Sequence, residues 1–131
     1  MGLDSYWYLE EGDQRDEVGY FCKFNAMHGF IDDNVKGGVE DCEKVVVSLE
    51  LAKELLRRCQ RILEAKDAES EETFMETAEE LLPCCEGFFF GSQKYDGGYI
   101  SNVMELKEML EEIIPELEDD DGISLIYYGW W

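Results

Sequence analysis

Basic side chains are scarce in this chain, 11 Lys and Arg against 32 Asp and Glu, and histidine occurs once. The net charge of -21 and a pI near 4.1 repel nucleic acid and anionic membrane surfaces, which excludes both as direct partners. Only two prolines occur, leaving little room for a long linker. No apolar run approaches the ~20 residues of a spanning helix, and no signal-peptide pattern opens the chain, so no membrane association is expected. Five cysteines are an odd number without C-x-x-C spacing, which argues against a disulfide framework or zinc knuckle and for a reducing cytoplasm. Gly87 to Ser92 lacks the pattern of a phosphate-binding loop. Glu118 to Gly122 lacks the alternating ligands of a calcium loop. No metal and no cofactor is expected.

What is present is enough for a core. At 131 residues, 45% hydrophobic and 13% aromatic, the chain reads as a single acidic α+β domain over 1–131, with a three- to four-stranded sheet packed against three main amphipathic helices. Leu3, Ser5, Trp7 and Leu9 alternate with Asp4, Tyr6 and Tyr8, as in a strand with one buried face. Glu10 to Glu17 breaks the pattern as an exposed loop, and Val18 to Phe24 resumes it, as a second strand or as the approach to a short helix. Asn25 is positioned to cap a short helix that turn chemistry at Asp32-Asp33-Asn34 and then Gly37-Gly38 is expected to end. Lys44 to Val47 is apolar on successive residues, which predicts a strand covered on both faces.

The apolar positions Ala52, Leu55, Leu56, Cys59, Ile62 and Leu63 recur at three and four, predicting an amphipathic helix from Leu49 to about Lys66. Ser70 caps a second helix that Pro83 stops. Asn102 with Glu105 suggests the start of a third, which Pro115 ends or kinks near Ile114. Ile123 to Tyr128 reads as a last strand, with at least one of Trp130 and Trp131 packed on the body. Phe88, Phe89 and Phe90 are expected to fill the seam between sheet and helices.

MGLDSYWYL at the start, YFCKFNAMHGF and LPCCEGFFFGSQKYDGGY together resemble a family of small proteins encoded in bacteriophages and prophages. Its members open with MGLD, carry a segment like Lys23-x-Asn25-x-x-His28, and contain GFFFGS-x-x-YD, here ending in Tyr95 and Asp96. The resemblance implies a phage origin, a bacterial cytoplasm and a shared fold, and it implies no enzymatic activity. Cys84-Cys85 departs from the usual form, in which a Thr follows the proline.

Acidity of this size serves solubility, and it also favours basic partners through long-range attraction. The charge is spread: residues 1–40 carry 9 acids and 3 bases, 41–80 carry 12 and 6, and 81–131 carry 11 and 2. The functional expectation is a non-enzymatic, phage-encoded interaction protein, an anti-defence inhibitor of the anti-CRISPR or DNA-mimic kind, that binds a basic, nucleic-acid-binding host protein. The carboxylates expected to carry it are Glu64, Asp67, Glu69, Glu71, Glu72, Glu76, Glu79 and Glu80, with Glu108, Glu111, Glu112, Glu116, Glu118, Asp119, Asp120 and Asp121. Spacing puts Glu72, Glu76, Glu79 and Glu80 on one outward face. The alternative is a small ligand-binding protein or enzyme with a pocket walled by the GFFFGS segment and lined by Asn25, His28, Tyr95 and Asp96. In that reading His28 could form a dyad with Cys22 or Cys84, whereas the plainer reading makes it a hydrogen-bonded structural residue. A homodimer formed through aromatic surfaces is a third possibility.

Overall fold

The alternation that opens the chain builds a hairpin. In the computed structural model, which describes residues 3–35, 37–40, 42–68, 70–84 and 94–130, β1 (Asp4–Glu11) and β2 (Gln14–Cys22) run antiparallel. Gly12 and Asp13 make the turn between them, Gly12 at a φ of +60° that a side chain would strain. The exposed loop expected over Glu10 to Glu17 is therefore the hairpin tip: Glu10 faces Arg15 across the ladder and accepts from its guanidinium at 2.8 and 3.0 Å. Residues 11–17 are exposed whichever way they point, so no alternation of apolar and polar residues is selected there.

After the hairpin come α1 (Asn25–Asn34), β3 (Glu43–Val47), α2 (Leu49–Ala68), α3 (Glu71–Leu81), α4 (Gly97–Asp119) and β4 (Ser124–Trp130). The four strands form one antiparallel sheet in the order β2-β1-β4-β3, giving the α+β fold that the patterning implies, with the short α1 and three longer helices among the described residues. The inward row Trp7, Phe21, Val45, Val47, Leu125 and Tyr127 meets the apolar stripes of the helices in one core. Trp7 is fully buried at its centre. Its indole N–H donates to Met27 Sδ at 3.2 Å and its ring lies 4.9 Å from that of Tyr127.

Local chemistry explains most boundaries. Ser48 Oγ accepts from the Leu51 N–H at 3.1 Å at the start of α2, and Ser70 Oγ accepts from the Thr73 N–H at 3.2 Å at the start of α3. Four expectations are corrected. Phe24, not Asn25, occupies the cap position of α1, Asn25 is a buried residue of the helix itself, and Asp32 to Asn34 belong to the helix and not to a turn after it. α4 begins at Gly97, ahead of Asn102, because the Asp96 carboxylate accepts from the N–H groups of Gly98 and Tyr99. It also runs through Pro115 to Asp119, since the missing hydrogen bond is outweighed by burial of Ile114 and Leu117 on either side. β3 is covered on one face only: Val45 and Val47 are buried, whereas Val46 is 64% exposed, because the helices all lie on the other side of the sheet.

That uncovered face carries Tyr6 and Tyr8 of β1, Tyr20 of β2, Ile126, Tyr128 and Trp130 of β4, and Val46 of β3, none of which belongs to the core cluster. Trp130 is paired with Asp4 through the backbone but is 51% exposed, so its side chain does not pack into the body; Trp131 lies outside the described residues. The Phe88 to Phe90 seam also lies outside them. Among the described residues no helix is long and apolar enough to cross a membrane.

Candidate partner interface

The helical layer sorts its residues by polarity. α3 buries Phe74, Thr77 and Ala78, which turns Glu71, Glu72, Glu76, Glu79 and Glu80 to solvent, all five exposed. α4 buries Val103, Leu106, Met109, Leu110, Ile113, Ile114 and Leu117, and exposes Glu108, Glu111, Glu112, Glu116, Glu118 and Asp119. Glu105, read in the sequence as a capping residue, joins this exposed row because the helix starts earlier. Its membership was legible in principle, since Tyr99 extends the stripe of Val103 and Leu106 upstream. Glu64 and Asp67 are exposed near the end of α2, and Asp120 and Asp121 are exposed in the turn after α4; Glu69 lies outside the described residues.

α2 packs against both α3 and α4. α2 is the basic helix, yet its cations do little to neutralise α3. Arg57 pairs with Glu54 at 2.7 Å on the same helix, holding that carboxyl below its ordinary range, and Lys53 reaches Glu118 at 3.2 Å. Arg58 turns inward: its Nη1 donates to the Leu81 carbonyl at 2.7 Å at the end of α3, and its guanidinium lies 4.9 Å over the Phe30 ring. Lys107 pairs with Glu111 at 3.0 Å. Among the described residues, no ion pair engages the five glutamates of α3.

The spacing of these charges is the quantity that matters. Five carboxylates over the 11 residues of α3 amount to roughly one negative charge per 3.3 Å at 1.5 Å rise per residue. The stretch of α4 from Glu105 to Asp119 carries seven over roughly 22 Å, of which Glu111 and Glu118 are paired with Lys107 and Lys53, so its net density is lower. One strand of duplex DNA presents about one charge per 3.4 Å of axis.

The residues of the alternative pocket are brought together only in part. Asn25 and Asp96 line a cavity of about 270 Å³ together with Lys23, Lys94, Cys84 and Asn102. Tyr95 and Asp96 line a second, of about 340 Å³, with Phe74 and Ile100. His28 lines neither. It is buried in the core, its Nδ1 hydrogen-bonded to the Tyr127 hydroxyl at 2.8 Å, and that hydroxyl shares a second 2.8 Å bond with Ser5 Oγ. The polar groups otherwise serve the backbone: the Tyr95 hydroxyl accepts from the Cys84 N–H at 3.1 Å, and Asp96 caps α4. Burial raises the Cys84 thiol and pushes Cys59 up to about 12, so neither is an activated nucleophile. Cys22 is exposed on β2, away from the buried His28, and Cys85 lies outside the described residues. The Ser5–Tyr127–His28 chain leaves no signal in the sequence, because its members stand 99 and 122 residues apart.

Burial lowers the pKa of His28 below its ordinary 6.5, against a smaller opposing pull from Asp32. The unfolded chain therefore binds the proton more readily than the folded one. The stability contributed by neutral His28 is complete above pH 6.5 and is lost progressively as pH falls below it through the lower folded-state value. Urea midpoints measured between about pH 5.5 and 7, where carboxylates of ordinary pKa stay ionised, are expected to fall with pH for the wild type. They are expected to stay level for His28→Gln. Equal slopes for the two proteins would contradict the assignment.

No protein-family model, curated protein or solved structure matches the chain.

Proposed function

We propose that this protein is a non-enzymatic interaction protein whose acidic helices bind a basic, nucleic-acid-binding protein at the surface that protein uses for nucleic acid. The observation that carries the reading is the row of five exposed glutamates on α3, which no ion pair engages among the described residues, at a charge spacing close to that of one DNA strand. Carboxylates stand where phosphates would, and long-range attraction raises the rate at which a basic partner is found. Rigid helices suit this role, since the carboxylates are held in a fixed row without ordering a loop on binding. The likeness of its opening and of its GFFFGS segment to phage-encoded proteins adds a setting: the bacterial cytoplasm, with a defence nuclease complex or another DNA-binding host protein as target, inhibited by occupation of its nucleic-acid channel.

Capture from bacterial lysate tests this. A basic nucleic-acid-binding protein is expected to be retained at low salt, to lose affinity by at least about tenfold between about 50 and 500 mM sodium chloride, and to be displaced by duplex DNA. Replacing Glu72, Glu76, Glu79 and Glu80 with Lys is expected to abolish retention. A captured partner indifferent to salt, to DNA and to that reversal would overturn the reading.

A further inference from the structure

The uncovered sheet face differs from the rest of the surface. Tyr6 sits at the centre of an aromatic cluster, its ring 6.3 Å from Tyr8, 5.1 Å from Tyr20 and 6.1 Å from Tyr128. Val46, Trp130 and Tyr20 around it are 64, 51 and 46% exposed. Tyrosine and tryptophan supply large contact area with few rotatable bonds, and they are enriched where proteins associate.

The face is also almost neutral. The register places Asp4, Glu10 and Glu17 on it against Arg15 and Lys44, a balance of one negative charge in a chain of -21. Two of these carboxylates are already engaged: Asp4 accepts from the Tyr20 hydroxyl at 2.6 Å, and Glu10 pairs with Arg15, whose guanidinium lies 5.6 Å over the Tyr8 ring. The acidic helices lie on the far side of the sheet.

We propose that this face is a homodimer interface, packed on the same face of a second copy. Charge selects the occupant. Two molecules of -21 repel wherever helices meet, but they can approach sheet to sheet with their helical layers outermost. At roughly 10 Å per layer the acidic helices of the two copies then stand about 30 Å apart, about four screening lengths at physiological ionic strength. A two-fold axis along the strands lays β3 of one copy over β2 of the other. Lys44, Tyr128, Tyr6 and Tyr20 occupy one row of the ladder, so each Lys44 meets the partner's Tyr20 and its bonded Asp4.

The area predicts a weak association. Four strands at about 4.8 Å spacing and about 24 Å long offer roughly 450 Å² per copy, near 900 Å² for the pair, below the about 1,200 Å² of standard interfaces. A weak, concentration-dependent dimer follows. The arrangement leaves both acidic layers free, so it presents the basic partner with two copies of the same row.

Sedimentation equilibrium from micromolar to millimolar protein decides the matter. The apparent mass is expected to rise from one chain to two, with a dissociation constant that falls as sodium chloride is raised. Val46→Glu and Lys44→Glu, both at exposed positions of an edge strand, are expected to weaken the dimer by about tenfold or more while the far-UV circular dichroism is unchanged. Glu76→Lys on α3 should leave it as strong or stronger. The inference is overturned by a monomer mass at every concentration, by a dimer indifferent to both β3 substitutions, or by one that dissociates as salt rises. A monomer in which a captured basic partner protects the Tyr6 and Tyr20 amides from hydrogen exchange would assign the face to that partner and also overturn it. Because salt strengthens this contact and weakens binding to a basic protein, failure of either reading is distinguishable from failure of the other.

Discussion

Trp7→Ala is expected to lower the stability of the fold by about 3–5 kcal/mol, a large part of the roughly 5–15 kcal/mol by which a domain is stable. The indole is fully buried between sheet and helices, so truncation removes apolar contact on both sides and opens a cavity that neighbours in a packed core refill only in part. It also removes the N–H that Met27 Sδ accepts at 3.2 Å and the ring contact with Tyr127 at 4.9 Å. Urea unfolding followed by circular dichroism measures the loss. A change under about 1 kcal/mol would show that Trp7 is not the centre of the core. Trp7→Phe keeps most of the volume and is expected to cost less, which separates the cavity from the lost hydrogen bond.

Tyr127→Phe is expected to cost about 2–4 kcal/mol although it removes a single oxygen atom, because each buried polar group left without its partner costs about 1–3 kcal/mol. The hydroxyl joins Ser5 Oγ and His28 Nδ1 at 2.8 Å each, in the interior, where water cannot replace it without repacking. The phenylalanine ring retains the packing on Trp7, so the loss reports the hydrogen bonds. Ser5→Ala on this background removes one orphaned group, and the double variant is expected to cost less than the sum of the two single ones. Strict additivity in urea unfolding would dissolve the network. These two substitutions address the core, and neither is expected to alter the acidic rows.

How much could be read beforehand follows the range of the interactions involved. The stripe through Leu55, Cys59 and Ile62 and the caps at Ser48 and Ser70 depend on residues three and four apart, and the helices stand where that spacing puts them. The exposed rows on α3 and α4 were legible for the same reason, since burying Phe74 and Ala78 or Val103 and Leu106 leaves the glutamates only one side to occupy. Most of what failed depended on how the elements are placed against one another; the start of α4 is the exception, since Asp96 accepts from Gly98 and Tyr99 close by in sequence. Glu10 to Glu17 reads as a loop until Arg15 is seen across from Glu10. Whether Lys44 to Val47 is covered on one face or on both follows only once β3 is placed at the edge of a sheet with helices on one side. Pro115 should stop or kink a helix on local grounds, and it does not stop this one, in which Ile114 and Leu117 are buried.

The candidate site divides in the same way. Net charge is a sum over the chain and needs no fold, so the excess of 21 negative charges is a property of the sequence by itself. The tertiary structure alone decided that His28 belongs to Ser5 and Tyr127 in the core and not to a pocket with Tyr95 and Asp96. It alone decided that the strands turn one nearly neutral aromatic face to solvent while the carboxylates gather on the helices behind it. Composition records how much charge a chain carries; which surface carries it depends on contacts between residues far apart, which only the folded chain makes.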